Sequence, residues 1–328
     1  MTLKRAILAT LSLAFLGGAA HAETEFSLSY FMGPKHRFNE AFFTPFGEKL
    51  AELSGGSLTV KQYAGGTLNS NPALQYSTVV EGVTDVAFGI SSYTYDLLPI
   101  SSSISVPGVC NSGIDCTEAL WRAKDLIEGE FNAKLIAMWS NEPMAIVTRD
   151  KPIRSLEDFK GLKIRVSSNI EADFLAALGA APVSQSVSEI NQNLANGTID
   201  AIAIDPTSVR DFKLYEPANY VTLGMPTSGL AFWLLMNKQS YDALSDEEKA
   251  WVDAASGRDL SVAGAHATEA MAASALEVAR DAGVEIITLS PEEAARITEA
   301  FTEPLAKFKE AAFNGVSGAE IYSAMKGE

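Results

Sequence analysis

"GLKIRVSSNIE" (residues 161–171) is the stretch whose pattern decides the fold. Leu162, Ile164 and Val166 alternate with Lys163 and Arg165, the two-residue period of a half-buried strand. Ser168 followed three residues later by Glu171 is the signature of a capping box, so a helix starts there. That helix carries Ile170, Phe174 and Leu178 at spacings of four, an apolar stripe turned toward a core. A strand that hands over directly to a helix is the repeating unit of an α/β domain. In open α/β sheets, ligands bind beyond the carboxyl ends of the strands. Arg165 stands at such an end, beside a helix N-terminus whose free N–H groups favour an anion. Its planar guanidinium matches a carboxylate through two parallel hydrogen bonds. The alternative is a surface arginine paired with an acidic neighbour.

The same alternation extends outward. Strand patterns fall at 25–31, 58–63, 84–90, 133–140, 144–149, 199–204, 229–237 and 284–289, with helical patterns at 37–54, 71–81 and 116–128 between them. A loop rich in Ser, Pro and Gly covers 91–114. Ser186 and Glu189 read as a second capping box, before a helix ending at Gly197. From Ser245 to Gly283 there is no proline, and a third box, Ser245 with Glu248, opens one or two long helices. Ser290-Pro291 opens the last helices, with proline in the first turn. "GVTDVAF" (82–88) and "GTIDAIA" (197–203) form a weak internal echo, each opening a strand after a helix. The expectation is two similar α/β lobes with largely parallel sheets and a cleft between them.

The first 22 residues read as a signal peptide: Lys4 and Arg5, an apolar run, then Ala20-His21-Ala22 as an A-x-A site, with cleavage after Ala22. The apolar run is too short for a membrane span. The expected product is soluble, not membrane-inserted, and periplasmic or secreted. Losing Lys4 and Arg5 leaves 23 basic against 41 acidic residues, net −18. That balance argues against nucleic acid and anionic lipid as partners. It leaves room for a small anion held by one well-placed arginine. Cys110 and Cys116, in "CNSGIDC", are a disulfide candidate in an oxidising compartment; two unpaired thiols in a polar loop are the alternative. Only His36 and His266 remain after the leader, neither near a ligand-like partner, so no metal or cofactor is expected. The sequence has no nucleophile elbow, zincin, P-loop or dinucleotide motif, so an enzyme finds no constellation of groups. Carboxylate pairs such as Glu292-Glu293 fall on solvated faces.

"SLEDFKGLKIRV" (155–166) and "LGAAPVSQSVSEINQNLANGTID" (178–200) resemble the solute-binding proteins of TRAP (tripartite ATP-independent periplasmic) transporters, the DctP-like family. "LLMNKQSYDALSDEEKAWVDAASG" (234–257) and "YFMGPKHRFNEAFFTPFGEKLAELSGGSLTVKQYAGGTL" (30–68) extend the resemblance over nearly all of the chain after the leader. It implies a two-lobed periplasmic binding protein with mixed, largely parallel sheets, a hinge and a long buttressing helix. Lobe I would comprise 23–142 plus 231–270, and lobe II 143–230 plus 271–328. The implied function is capture of an organic acid anion in the interlobe cleft and delivery to a TRAP membrane permease. A binding protein serving a periplasmic sensor would look the same, and a periplasmic enzyme is the third reading.

The family arginine that grips the ligand carboxylate falls on Arg165. The sequence departs from the family after Asp200, where Ala201 stands in place of the usual glycine and the ligand-contacting Asn or Trp is missing; Asp205 is the polar candidate there. The family's Ser-Glu-Tyr motif reaches Asn191 instead of tyrosine. Pro143-Met144-Ala145 occupies the region where sialic-acid-binding members carry a second arginine. Further candidates for ligand contact are Phe31 and His36 after the first strand, Tyr93 after the strand at 84–90, Trp139 at a strand end, and Phe232, which points opposite to Trp233.

Overall fold

A computed structural model describes residues 23–328; the expected leader and its cleavage site lie outside the described residues. Two mixed sheets organise the chain. The first contains β1 (Thr24–Ser29), β2 (Leu58–Tyr63), β3 (Val86–Ile90), β4 (Lys134–Ser140) and β10 (Ala231–Met236), in the order β2-β1-β3-β10-β4. The second contains β5 (Ala145–Thr148), β6 (Lys163–Val166), β7 (Ala181–Ser184), β8 (Ala201–Ile204), β9 (Tyr220–Leu223) and β11 (Glu285–Thr288), in the order β11-β9-β5-β8-β6-β7. The fold is therefore two-lobed and α/β. β7 and β9 escape the sequence patterns. Pro182 sits in β7 and is tolerated because β7 is an edge strand.

Each sheet has one strand that runs against its neighbours. β10 is antiparallel to β3 and β4, and β5 to β8 and β9. Both follow directly on a crossing between lobes. β4 ends at Ser140 on the cleft edge and β5 begins at Ala145, too soon for the chain to return to the far edge. β5 therefore starts at the cleft and runs away from it, Ala145 opposite Ile204. β10 repeats the geometry, with Ala231 opposite Ser140 and Phe232 opposite Ile90. The carboxyl ends of β1, β3, β6 and β8 and the amino ends of β5 and β10 thus meet at one cleft.

The internal echo has a physical cause. Gly82 and Gly197 both end a helix with φ near +70° (73° and 72°), a region open to glycine. Three residues on, Asp85 accepts a hydrogen bond from Ser27 N of β1 (2.9 Å), and Asp200 accepts one from Lys163 N of β6 (2.8 Å). Each aspartate joins the strand it opens to the parallel strand beside it. β3 and β8 hold equivalent places, one parallel neighbour on one side and the antiparallel crossing strand on the other.

The proline-free region divides at Gly257 (φ 101°) into helices Asp246–Ala255 and Arg258–Asp281. Ser245 and Glu248 form a complete capping box. The other two boxes are partial: Ser168 accepts from Glu171 N while the Glu171 carboxylate turns to Ser167, and Ser186 accepts from Ser188 N. The 24-residue helix Arg258–Asp281 is about 36 Å long. Its first turn is tied to β4 of lobe I through Ser261 Oγ, which accepts from Met138 N (3.2 Å). Its later turns pack on Ser208–Asp211 and β11 of lobe II. The last helix, Gly318–Lys326, lies against both sides of the expected division, with Thr302–Glu310 on the lobe II side. It also packs on Gly113–Arg122 of lobe I, and Arg122 Nε donates to Met325 O (2.7 Å). The chain passes between the two sheets at 141–144 and at 224–230, and the long helix touches elements of both. Met144 and Met225 of the two crossings, Leu276 of the long helix and Tyr322 of the last helix wall a single groove.

Candidate functional site

Arg165 leaves β6 on the face opposite Ile164 and Val166, which belong to the core beneath the helix Asn169–Ala177. It is 2% exposed. Its Nε donates to Gln185 O (3.0 Å) and its Nη2 to Tyr93 Oη (3.2 Å). Among the described residues no carboxylate forms an ion pair with it. Glu171, on the next helix, is close enough for its charge to be felt, but its carboxylate accepts from Ser167 N (2.7 Å) and Ser167 Oγ. Burial raises the Glu171 pKa, opposed by those bonds and by the Arg165 charge. A buried guanidinium without a carboxylate bears a desolvation cost of several kcal/mol until an anion meets it.

Arg165 opens into a cavity between the sheets, with about 460 Å³ of non-atom space counting its mouth. Lobe I contributes Phe31, Phe38, Phe88 and Phe232 as an aromatic wall, with Ile90, and Leu230 of the crossing segment lines the cavity beside them. Phe88 stacks on Phe232 (ring centres 5.9 Å apart), and Phe38 meets Phe232 edge-on (5.1 Å). Lobe II contributes Val187, Ile204 and Phe212. Tyr93 joins the lobes, because its hydroxyl accepts from both Arg165 Nη2 and Val187 N (2.9 Å).

A second set of polar groups closes the cavity. Arg37 of lobe I is buried and pairs with Asp205 (3.3 Å) and with Asp211, both of lobe II. Asp205 also accepts from Asn141 Nδ2 (3.2 Å), Thr207 N (3.1 Å) and Ser208 Oγ (2.6 Å). Although burial alone would raise its pKa, the Arg37 charge and these bonds hold Asp205 below the usual carboxylate range. His36 lines the cavity with Nε2 3.6 Å from Asp211 Oδ2, and its Nδ1 accepts from Phe38 N (3.3 Å). Burial, then the Arg37 charge, lowers its pKa to about 3, so the imidazole is neutral at pH 7.

Of the residues singled out in the sequence, Arg165, Tyr93, Phe31, His36, Asp205 and Phe232 are brought together around this cavity. Two are not. Trp139 is fully buried in the lobe I core, stacked on Phe42 at 3.8 Å and covered by Phe38. Asn191 lies away from the cavity. Its Nδ2 donates to Phe212 O (3.0 Å) and Lys213 O (2.8 Å), fixing the turn that presents Phe212. Cys110 and Cys116 are joined in a disulfide beside the helix Gly113–Arg122. Arg37, Phe38, Asn141 and Phe212 were missed by the sequence reading. The one available signal was position, since Arg37 and Phe38 follow the cleft end of β1 as Arg165 ends β6.

Residues 28–311 match the profile of the bacterial extracellular solute-binding proteins, family 7 (DctP). The chain belongs to that family. This solute-binding protein is 27% identical to the 2,3-diketo-L-gulonate-binding periplasmic protein YiaO of Escherichia coli over 255 residues, 74% of this chain and 75% of YiaO. It is 30% identical to the C4-dicarboxylate-binding periplasmic protein DctP of Rhodobacter capsulatus over 170 residues, 51% of this chain and 50% of that one. Its structure resembles that of a marine metagenome TRAP solute-binding protein specific for aromatic acid ligands, from an unidentified microbe, in complex with 3-hydroxybenzoate. The TM-score is 0.88 at 26% identity, covering 93% of this chain and 98% of the other. The chain is a DctP-like solute-binding protein of the TRAP type, from a family of transporter binding proteins rather than enzymes. Among the described residues, no helix is long and apolar enough to cross a membrane.

Proposed function

We propose that this protein captures a small aromatic monocarboxylate in the periplasm and delivers it to a TRAP membrane permease. One observation carries the reading: Arg165 is buried at the floor of an aromatic-walled cavity with no acidic partner of its own. In this reading the ligand carboxylate meets Arg165, and Phe31, Phe38, Phe88 and Phe232 hold its ring. Charge-assisted bonds of this kind contribute roughly 1.5–3 kcal/mol each. The aromatic-acid specificity of the marine relative supports the ligand class. The rigid units that close on the ligand are 23–142 with 231–270 and the last helix, against 143–230 with the segment from 271 to that helix. The leader is removed after Ala22.

Thermal unfolding of the protein without its leader, against aromatic acids, C4-dicarboxylates and sugar acids, tests the reading. At a hundred times Kd, bound ligand stabilises by about 2.7 kcal/mol, a rise of several degrees. The expected outcome is a rise with aromatic monocarboxylates. A rise confined to dicarboxylates or sugar acids overturns the ligand class. No rise with any carboxylate, in protein refolded to remove bound ligand, overturns the role of Arg165.

A further inference from the structure

The proposed role of Arg165 leaves Arg37 unexplained. Arg37 lines the same cavity, its side chain is 3% exposed, and two of its nitrogens are engaged by carboxylates of the opposite lobe. Its third, Nε, is buried without a hydrogen-bond partner among the described residues. Buried N–H donors are rarely left unpaired, because an unmade bond carries its full desolvation cost. The charge of Arg37 is already answered. Asp205 and Asp211 carry two negative charges, and Arg210 engages only the far oxygen of Asp211 (3.3 Å). The other groups facing this guanidinium are the His36 imidazole and the Phe38 ring, whose centre lies 4.8 Å from Arg37 Cζ. A second anion brought here would meet two carboxylates, whereas a neutral oxygen needs only the N–H.

We propose that Arg37 is a specificity-determining residue: its Nε donates to a neutral acceptor on the ligand, a hydroxyl, ether or keto oxygen, while Asp205 and Asp211 exclude a second carboxylate. The proposal rests on the reading that Arg165 holds the carboxylate of an aromatic acid. Under it the preferred ligand is an aromatic monocarboxylate with one neutral oxygen substituent. The bare acid binds more weakly, and the dicarboxylate of the same shape is rejected. Discrimination of this kind is strong where a buried polar group would otherwise stay unpaired.

Calorimetric titration of the ligand-free protein with benzoate, the three hydroxybenzoate isomers and the three benzenedicarboxylates decides the matter. At least one hydroxybenzoate is expected to bind roughly 10- to 100-fold tighter than benzoate, the range for one hydrogen bond to a charged donor. The dicarboxylate with its second group at that position is expected to bind more weakly than benzoate. Arg37→Lys, which keeps a cation but removes Nε, should bring the hydroxybenzoate-to-benzoate ratio close to one. Asp211→Asn should narrow the gap to the dicarboxylate. Equal binding of benzoate and every hydroxybenzoate overturns the proposal, as does a ratio unchanged in Arg37→Lys or a dicarboxylate that binds as tightly as the hydroxy acid. If no aromatic acid binds while another carboxylate does, the ligand class fails and the reading of Arg37 fails with it.

Discussion

Replacing Arg165 by glutamine separates a binding role from a structural one, because the two predict opposite effects on the ligand-free protein. The substitution removes the bonds to Gln185 O and Tyr93 Oη. At roughly 1.5–3 kcal/mol for each bond from a charged donor, that loss is about 3–6 kcal/mol. It also removes a buried charge that has no acidic partner among the described residues, and the desolvation penalty it relieves is several kcal/mol. The two terms nearly cancel, and the glutamine amide retains one of the bonds. Arg165→Gln should therefore unfold within a few degrees of the parent protein in the absence of ligand. Ligand binding is different, because only the loss remains. Two charge-assisted bonds to a carboxylate are worth about 3–6 kcal/mol, a drop of roughly 10²–10⁴ in affinity. Differential scanning calorimetry with and without the ligand found in the panel measures both quantities on one sample. A variant that melts far below the parent yet keeps a ligand-induced rise would refute the reasoning, since Arg165 would then be a structural tie.

His36 gives a pH dependence with a definite sign. Its folded pKa, about 3, lies below the ordinary value near 6.5, so the unfolded chain binds the proton first as pH falls. The stability it supports is complete above about pH 6.5 and is lost on descending toward 3, by about 2 kcal/mol at pH 5. Glu130, raised by burial to about 7, gains stability over the same descent, so the His36 contribution is read as a difference: by denaturant unfolding, the stability of the protein relative to His36→Gln should fall between pH 7 and pH 5, and a relative stability that does not change would refute it. Gly264 tests the long helix: a Cβ there would drive into the Phe42 ring. Despite its better helix propensity, Gly264→Ala should destabilise by roughly 1–3 kcal/mol through overpacking, read as a lower Tm.

The order of elements was legible because the apolar periods of β6, β3 and β8 are strong and local. The place of Arg165 on the cavity wall was legible because a strand end is recognisable in sequence and cleft geometry follows from it. Arg37 was not, since its burial is made tolerable by Asp205 and Asp211, 168 and 174 residues away. Trp139 illustrates a different limit. It stands opposite Phe232 in register, on the same face, so alternation assigns both residues alike. Only the packing of Phe42 and Phe38 over the tryptophan separates a core residue from a cavity wall. Asn191 was misjudged because its partners belong to a turn at Lys213, where φ is +52° and no sequence period operates.

The two crossings, the long helix and the last helix, which wall a single groove, have a mechanical consequence. Two bodies joined at one point can swing and twist in any direction; two joined along one edge behave as a door. The strands on either side of 141–144 and 224–230, the long helix and the last helix restrain the lobes along the same side. Their relative movement is thereby confined mainly to rotation about one axis. The angle of that rotation then becomes a gauge of what lies between the lobes. On the proposed reading, an occupant slightly too large would hold the door ajar, part Tyr93 from Val187 and Arg37 from Asp205 together, and forfeit both contacts at once. A graded difference in molecular size is in this way converted into a sharp difference in retention.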